Sequence, residues 1–326
     1  MLSIKIIATA KALPSAQVWS TQLDQKWGLP EGYVAQKSGI TYRYFADDGL
    51  LQSTLGAQAL RQACVDHDVA PHSIDLLLCA NGVPEQALPS TASRILACSG
   101  LRHGMAAFDV NASCVSFVTA LHQAACLLHS GAYRRIAIVS AELASRGIDW
   151  RDHETAFIFG DGAAAVIVEA GDDGQGCAAY QLAVHPEGVA HCEIRAGGTR
   201  RNPRVGVGED DHQFQMAGKR VFKLAAKLMP AFLDGLFAPL AYGPQDVDLV
   251  VPHQASYLSL HHLRARLGFS AAQVVDIYAT HGNQVAASMP TALHEARVQG
   301  RMGPGQKVLL IGTAAGFGMA GMVLHT

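Results

Sequence analysis

The sequence predicts a duplicated α/β fold in which two similar halves each contain a mostly parallel sheet. Short apolar runs alternate along the chain with segments of helical periodicity. Two stretches of sequence recur at a nearly constant spacing. Hydrophobic residues make up 49% of the 326 residues and charged residues only 16%, which is typical of a chain with a large buried core.

The alternation consists of strands buried on both faces and of helices that connect them. The apolar runs IDLLLCA, RIAIVSA, AAAVIVEA, VDLVVPH and KVLLIGTA have the length and composition of such strands. The segments TLGAQALRQACVDHD, SFVTALHQAACLLHSG and GKRVFKLAAKLMPAFLDGL have helical spacing. This order predicts parallel strands with crossover helices and a ligand site outside the carboxyl ends of the strands, where the two halves meet.

The internal repeat is visible in two pairs of segments. APHSIDLLLCANG matches GPQDVDLVVPHQA, which begins 173 residues later, and the tetrapeptide TALH occurs twice, 172 residues apart. Two matches in the same order and at nearly the same spacing indicate a duplicated domain of about 170 residues. We therefore expect an N-terminal half over residues 1–172 and a C-terminal half over residues 173–326.

Composition and spacing argue against several classes of protein. A net charge of −2 gives no general attraction to nucleic acids or membrane surfaces, and no apolar run approaches the roughly 20 residues that span a bilayer. The seven cysteines show no CxxC spacing, which indicates reduced thiols and a cytoplasmic location. The fifteen histidines show no ligand spacing such as HExxH, so we expect no metal site.

A cysteine and two polar residues are the candidate catalytic residues. Cys114 precedes a helical stretch, and the unpaired N–H groups and partial positive charge of a helix N-terminus favour a thiolate nucleophile. His253 follows a strand-like run in VVPHQAS, and Asn283 precedes a helix in THGNQVAAS. Two neutral donors beside a cysteine are suited to stabilising an enolate or an oxyanion.

The repeat gives these three residues a common location. It aligns Ala80 with His253 and Asn111 with Asn283, so that all three candidates lie at strand-to-helix junctions near the centre of the duplicated fold. The pattern alone leaves two interpretations open, which are one nucleophilic site or three unrelated structural residues.

Seven ordered motifs resemble those of the thiolase-fold condensing enzymes, and within them the β-ketoacyl-acyl-carrier-protein synthase III group. The motifs are KSGITYRYF, FDVNASCVSF, IFGDGAAAVIVE, MAGKRVFKLA, VPHQAS, HGNQVAAS and VLLIGTAAGFG, and the resemblance covers essentially the whole chain. It implies a thiolase-like fold of two duplicated halves in layers α-β-α-β-α. It also implies a homodimeric acyltransferase that uses coenzyme A thioesters as substrates and needs no further cofactor.

The resemblance implies a two-step reaction. Cys114 takes an acyl group from acyl-coenzyme A, and the N–H groups of Cys114 and Ala315 form the oxyanion hole. The family usually has glycine where this chain has Ala315. His253 and Asn283 then assist decarboxylation of a malonyl thioester, carried by coenzyme A or by an acyl carrier protein. The resulting carbanion attacks the acyl-cysteine.

The substrate-binding residues also follow from the resemblance. They are Tyr33, Lys37 and His153 for coenzyme A, Leu88 and Thr313 for the acyl pocket, and Lys219, Arg220, Lys223 and Lys227 for docking of the carrier protein. The three lysines recur at steps of four residues, which predicts one basic face of a helix. There are two alternatives. Tyr33 and His153 are then ordinary surface residues, and the basic face of the helix is merely solvated.

Several residues depart from the family's pattern. His153 takes the place of an arginine that contacts the nucleotide. Around the catalytic residues, Ser256 replaces an asparagine, Leu258 a basic residue and Thr313 a phenylalanine. These changes predict a specialised rather than a housekeeping synthase, and leave open whether the reaction or only the substrate differs. The alternative functions are acyl transfer from the cysteine to a hydroxyl or amine without decarboxylation, and a non-catalytic partner subunit of another condensing enzyme.

Overall fold

The computed structural model describes all residues, 1–326, and contains two main sheets. The first sheet has five strands in the order β1–β7–β6–β4–β5, with the bounds Lys5–Ala12, Gly162–Glu169, Arg135–Glu142, Leu76–Cys79 and Ala106–Asp109. Strands β6, β4 and β5 are parallel, and β7 is antiparallel to both of its neighbours. The carboxyl ends of the three parallel strands therefore lie at one edge of the sheet.

The second sheet repeats this topology. Its order is β11–β12–β13–β8, with the bounds Leu249–Pro252, Lys307–Ala314, Gly318–His325 and Gly176–Val184. Strands β11 and β12 are parallel, and β13 is antiparallel to both of its neighbours. A single parallel bridge between Val250 and Val274 stands where the first sheet has its fifth strand. The matching orders support the proposed division of the chain after residue 172.

The longer helices form three layers around the sheets. Between the sheets lie α5 (Ser116–His129) and α10 (Ser288–Val298). The outer face of the first sheet is covered by α3 (Gln52–Asp66) and α4 (Thr91–Ser99). The outer face of the second sheet is covered by α7 (Gly218–Phe237) and α8 (Tyr257–Leu267). The connections contain α1 (Ser20–Trp27), α2 (Tyr33–Ser38), α6 (His153–Ala156), α9 (Tyr278–His281) and the short strands β2 (Ala16–Trp19), β3 (Tyr42–Phe45), β9 (Cys192–Glu193) and β10 (Gln215–Met216). The layers run α-β-α-β-α, which confirms the predicted fold class.

The composition of the helices explains their layers. Helix α5 is mostly apolar, with Phe117, Val118 and Leu121 fully buried, because it packs between the two sheets. Helix α7 buries Phe232 and Leu236 but exposes its lysines, because only one side packs on a sheet. The central core cluster contains 31 buried residues, against 23 and 14 in the two outer clusters, so the packing of the two halves on each other is the main core. None of the helices has the length and apolarity required to cross a membrane.

Candidate active site

Cys114 lies in a tight turn between β5 and α5. The side-chain oxygen of Asn111 accepts the N–H of Ser113 at 2.9 Å, and the hydroxyl of Ser116 accepts the N–H of Ala112 at 2.8 Å. Ser113 has a left-handed φ of 53°, a conformation that this side-chain hydrogen bonding helps to hold. Cys114 therefore sits two residues before the first residue of α5, in a turn that local hydrogen bonds define.

The thiol of Cys114 is surrounded by protein, although the residue keeps part of its surface accessible. Burial raises the pKa of the thiol to about 11, although the nearby backbone N–H groups of Ala315 and of Cys114 itself act in the opposite direction. The expectation that the helix N-terminus leaves a thiolate at neutral pH is therefore wrong for the resting protein. Removal of water destabilises the thiolate more than these two N–H groups stabilise it.

The turn that contains Ala315 accommodates its side chain. The left-handed residues there are Gly316, with a φ of 76°, and Phe317, with a φ of 52°, whereas Ala315 itself is not left-handed. A Cβ at this position therefore adds no backbone strain. The N–H groups of Cys114 and Ala315 both lower the pKa of the thiol, so both lie close enough to the sulfur to stabilise negative charge there.

His253 is buried immediately after β11. Its backbone N–H donates to the carbonyl of Ile311 at 2.9 Å, and the ring Nδ1 has no partner within the protein. Burial lowers the pKa of the imidazole to about 4, so the ring is neutral at pH 7. A Cβ added at Gly312 would lie 2.8 Å from His253 Cβ and 3.2 Å from Val115 Cγ1. Glycine thus lets β12 pass between the histidine and the residue that follows Cys114.

Asn283 is held by a second turn. Its Oδ1 accepts the N–H of Val285 at 2.8 Å, and its Nδ2 donates to the carbonyl of Ala255 at 3.2 Å. Ala255 lies two residues after His253, so this bond ties the amide to the histidine loop. One N–H of the Asn283 amide remains available to a ligand. The structure therefore brings a cysteine, a neutral imidazole and an amide donor to one junction between the halves.

A buried carboxyl group beside these turns was not found from the sequence. Glu142 ends β6, accepts the N–H groups of Gly82, Val83 and Ala286, and has a pKa that burial raises to about 8. Its charge also raises the pKa of the Cys114 thiol. An acidic residue at the end of the apolar run RIAIVSAE is the signal that could have indicated it. The described residues include no group of His, Cys, Asp and Glu side chains placed to hold a metal ion.

Two of the three predicted coenzyme A residues lie against one buried aromatic ring, that of Phe157, and the third lies against Tyr33. The Tyr33 ring contacts Phe157 edge-on with centroids 6.5 Å apart, and the His153 ring lies 4.8 Å from the same ring. The Lys37 ammonium lies 5.6 Å from the Tyr33 ring. Phe157 was not singled out from the sequence, because a buried phenylalanine in an apolar run carries no functional signal.

The remaining predicted residues lie farther out. Lys219, Arg220, Lys223 and Lys227 are all exposed in the first half of α7, and none of the four forms an ion pair. Leu88 is 84% exposed in the loop between β4 and α4, whereas Thr313 lies in β12 and lines a cavity together with His253. Within one chain, the two predicted acyl-pocket residues therefore do not share a cavity.

Two departures from the family have a local structural explanation. Ser256 caps α8, because its hydroxyl accepts the N–H of Ser259 at 3.2 Å. Leu258, in the first turn of the same helix, is 70% exposed. Serine at this position therefore has a structural role of its own, whereas nothing within the chain explains an exposed leucine.

The duplicated fold and the cysteine site at its junction define a thiolase-fold condensing enzyme. Residues 108–186 match the family model described as 3-oxoacyl-[acyl-carrier-protein (ACP)] synthase III, and residues 238–326 match the model of its C-terminal part. The chain belongs to this family, whose members include β-ketoacyl-[acyl-carrier-protein] synthases III, and it is an acyltransferase-type condensing enzyme.

Individual relatives cover nearly the whole chain. The chain is 36% identical to β-ketoacyl-[acyl-carrier-protein] synthase III of Rhodospirillum rubrum over 94% of both chains. It is 32% identical to the protein of the same name from Neisseria gonorrhoeae over 98% of both. The crystal structure of the Thermus thermophilus synthase III superposes with a TM-score of 0.89 at 30% identity, again over 98% of both chains.

Proposed function

We propose that the protein transfers an acyl group from acyl-coenzyme A to Cys114 and condenses it with a malonyl thioester, with loss of carbon dioxide. The product is a β-ketoacyl thioester. The observation that carries this proposal is the close approach of the Cys114 turn to a neutral, buried His253, since a Cβ at Gly312 would meet both His253 and Val115. Substrates of this kind supply all the chemistry, so the proposal includes no further cofactor.

In the first step, the Cys114 sulfur attacks the carbonyl carbon of the acyl thioester. The negative oxygen of the tetrahedral intermediate accepts hydrogen bonds from the N–H groups of Cys114 and Ala315. The carbon–sulfur bond to coenzyme A then breaks. Because the resting thiol is protonated, its proton leaves in this step, and the departing thiol of coenzyme A carries one away.

In the second step, His253 and the free N–H of Asn283 donate to the carbonyl oxygen of the malonyl thioester. Loss of carbon dioxide from the α-carbon puts negative charge on this oxygen, and preorganised neutral donors stabilise it. A neutral imidazole is suited to this task because it has a ring N–H to donate, and burial keeps it neutral. The α-carbon then attacks the acyl carbon and expels Cys114.

We assign the nucleotide of coenzyme A to the surface formed by Tyr33, Lys37 and His153. The two rings packed against Phe157 and the adjacent ammonium support an aromatic and cationic contact with a nucleotide. The exposed, unpaired cations of α7 support docking of an acidic carrier protein. The replacements at Ser256, Leu258 and Thr313 support a specialised enzyme, and a cytoplasmic location remains part of the proposal.

We also infer a homodimer. Strand β5 is an edge of the first sheet, and its Phe108 is 41% exposed. The loop that carries the exposed Leu88 is tied to the same strand, because the N–H of Thr91 donates to Asp109 at 2.9 Å. An open edge strand beside exposed apolar side chains is suited to pairing with a second copy. A light-scattering mass of one chain at micromolar concentration would contradict this inference.

The test of the proposed reaction separates its two steps. Incubation with a panel of acyl-coenzyme A thioesters should add one acyl mass, and peptide mapping should place it on Cys114. Addition of malonyl-coenzyme A, or of malonyl carrier protein, should then release carbon dioxide and the β-ketoacyl product. Acylation without carbon dioxide release from any donor would favour transfer to a hydroxyl or amine acceptor. No acylation at all would favour a non-catalytic partner subunit.

A further inference from the structure

An apolar cavity of about 190 Å³ lies between α7 and α8 on the outer face of the second sheet. Its walls are formed by Ala226 and Met229 of α7 and by Leu263 and Leu267 of α8, and Ile311 of β12 forms part of its floor. The rings of Phe222 and His262, whose centroids are 4.8 Å apart, bridge the two helices over it.

One end of this cavity reaches the candidate active site. His253, Gly312 and Thr313 line that end, and Gly312 is the residue that packs between His253 and Val115, next to Cys114. The short side chain of Thr313 leaves the opening free. Cys114 itself does not line the cavity. A ligand group in the cavity is therefore reached from the histidine side of the site and not from the sulfur.

We propose that this cavity binds an alkyl substituent on the α-carbon of the nucleophilic thioester. The inference rests on the proposed function, in which His253 holds the carbonyl oxygen of that thioester. The α-carbon is bonded directly to this carbonyl, so a substituent there emerges beside His253 and Thr313. The preferred extender is then an alkyl-substituted malonyl thioester, and its product is branched at the α-carbon.

The size of the cavity sets the size of the substituent. An engineered apolar cavity of about 150 Å³ holds a benzene molecule, so about 190 Å³ accommodates an alkyl chain of about six to eight carbons. The chemistry remains balanced. The bond from the α-carbon to its carboxylate breaks, its electron pair forms the new bond to the acyl carbon, and Cys114 leaves as a thiolate that takes up a proton from water.

Binding of a series of donors tests the cavity apart from the chemistry. In Cys114→Ala protein, which cannot be acylated, titration calorimetry would compare malonyl-, methylmalonyl-, butylmalonyl- and hexylmalonyl-coenzyme A. Each buried methylene should lower Kd by about fourfold, so hexylmalonyl-coenzyme A, with five more methylenes, should bind about 10³ times more tightly than methylmalonyl-coenzyme A. Ala226→Phe, which fills the cavity, should abolish this gain.

Ala231→Phe is the matched control, because Ala231 is exposed on the same helix outside the cavity, and it should preserve the gain. If Ala226→Phe does not fold, Leu263→Trp fills the cavity from the opposite wall and should also abolish the gain. In the otherwise wild-type enzyme, the ratio of kcat/KM for hexylmalonyl- over malonyl-coenzyme A should fall by about 10³ in Ala226→Phe.

Three outcomes overturn the proposal. The first is a Kd that does not depend on the α-substituent, and the second is a gain that survives both filling variants. The third is a filling variant that changes the preferred acyl-coenzyme A instead, since the cavity would then hold the acyl chain on Cys114. Absence of carbon dioxide release from every donor would refute the proposed function, while the binding series would still decide the cavity.

Discussion

The turn before Cys114 and the turn around Asn283 are the same structure built twice, once in each half. In both, an asparagine side chain accepts the N–H two residues ahead, at 2.9 Å from Asn111 and 2.8 Å from Asn283. In both, that second residue is left-handed, with φ values of 53° at Ser113 and 48° at Val285. Both asparagine amides also donate to a backbone carbonyl at 3.2 Å. Local hydrogen bonds thus preserve the backbone in two different sequences.

The chemistry of the two turns differs through single side chains. The repeat aligns Cys114 with Ala286, so only one turn carries a nucleophile. The N–H of Ala286, which is equivalent to that of Cys114, lies beside the Glu142 carboxyl group and lowers its pKa. Conversely, only the second half has a histidine, His253, directly after the strand β11. A duplicated backbone can therefore divide two catalytic tasks between its halves.

The largest expected effect is loss of the nucleophile. Cys114→Ala should reduce acylation by acyl-coenzyme A by about 10⁴-fold or more, because no other group in the site replaces the thiol. The double variant Cys114→Ala, Ala286→Cys should not recover it, because Glu142 already occupies the backbone donor of the second turn. Intact mass and peptide mapping measure both. An adduct on Cys98 or Cys126 that persists in Cys114→Ala would contradict the assignment of Cys114 as the nucleophile.

The two equivalent asparagines should differ in which step they affect. Asn283→Ala should slow decarboxylation of malonyl thioester by about 10²–10³, the usual effect of losing one preorganised donor, and should change acylation of Cys114 only slightly. Asn111→Ala disturbs the turn that carries the cysteine, so its larger loss should fall on acylation. Carbon dioxide release and acyl-enzyme mass measure the two steps separately. Full decarboxylation by Asn283→Ala would show that its amide serves only the turn.

His253→Ala provides a second test of the decarboxylation step. It should lose about 10²–10³ in decarboxylation and still form the acyl-enzyme, because the oxyanion hole for acylation consists of backbone N–H groups. Circular dichroism before and after the substitution controls for folding. An equal loss in both steps would assign the histidine to activation of the thiol instead.

The pH dependence of Cys114 reactivity tests the balance between burial and helix terminus. Because its pKa is raised to about 11, the thiolate fraction should rise about tenfold per pH unit between pH 7 and 10. The rate of alkylation by iodoacetamide should follow this slope. Subtracting the rate of Cys114→Ala removes the contribution of the exposed Cys98 and Cys126. A rate of alkylation that stops rising below pH 8 would mean that the helix N-terminus lowers the pKa of the thiol more than desolvation raises it.

The smallest expected effect concerns the basic face of α7. Lys219→Glu with Lys223→Glu should raise KM for malonyl carrier protein by about tenfold at low salt, and less at high salt, because exposed charges are screened. Acylation by acyl-coenzyme A should not change. Arg102→Glu with Arg134→Glu makes the same change of charge at exposed positions elsewhere and should have no effect. An unchanged KM at low salt would show a merely solvated face.

The fold and the location of the three candidate residues at strand ends were predictable because they depend on patterns along the chain. Buried strands require apolar runs, and the duplication appears as a constant spacing that aligns the strand ends. The same spacing predicts that Cys114, His253 and Asn283 lie near one junction between the halves. The resemblance to the synthase III family then followed from motifs in a fixed order, and the comparisons confirm it.

What the sequence by itself determined is therefore the order of strands and helices, the repeat and the residue types at the strand ends. Only the tertiary structure decided the state of the Cys114 thiol, the position of Glu142 beside both turns and the cavity behind Thr313. The physical reason is the distance along the chain between the residues that set each property. Periodicity and turn formation depend on neighbouring residues, whereas desolvation and empty volume are sums over segments far apart in the chain. Burial of the Cys114 thiol is such a sum, and it raises the pKa that a helix N-terminus by itself would lower.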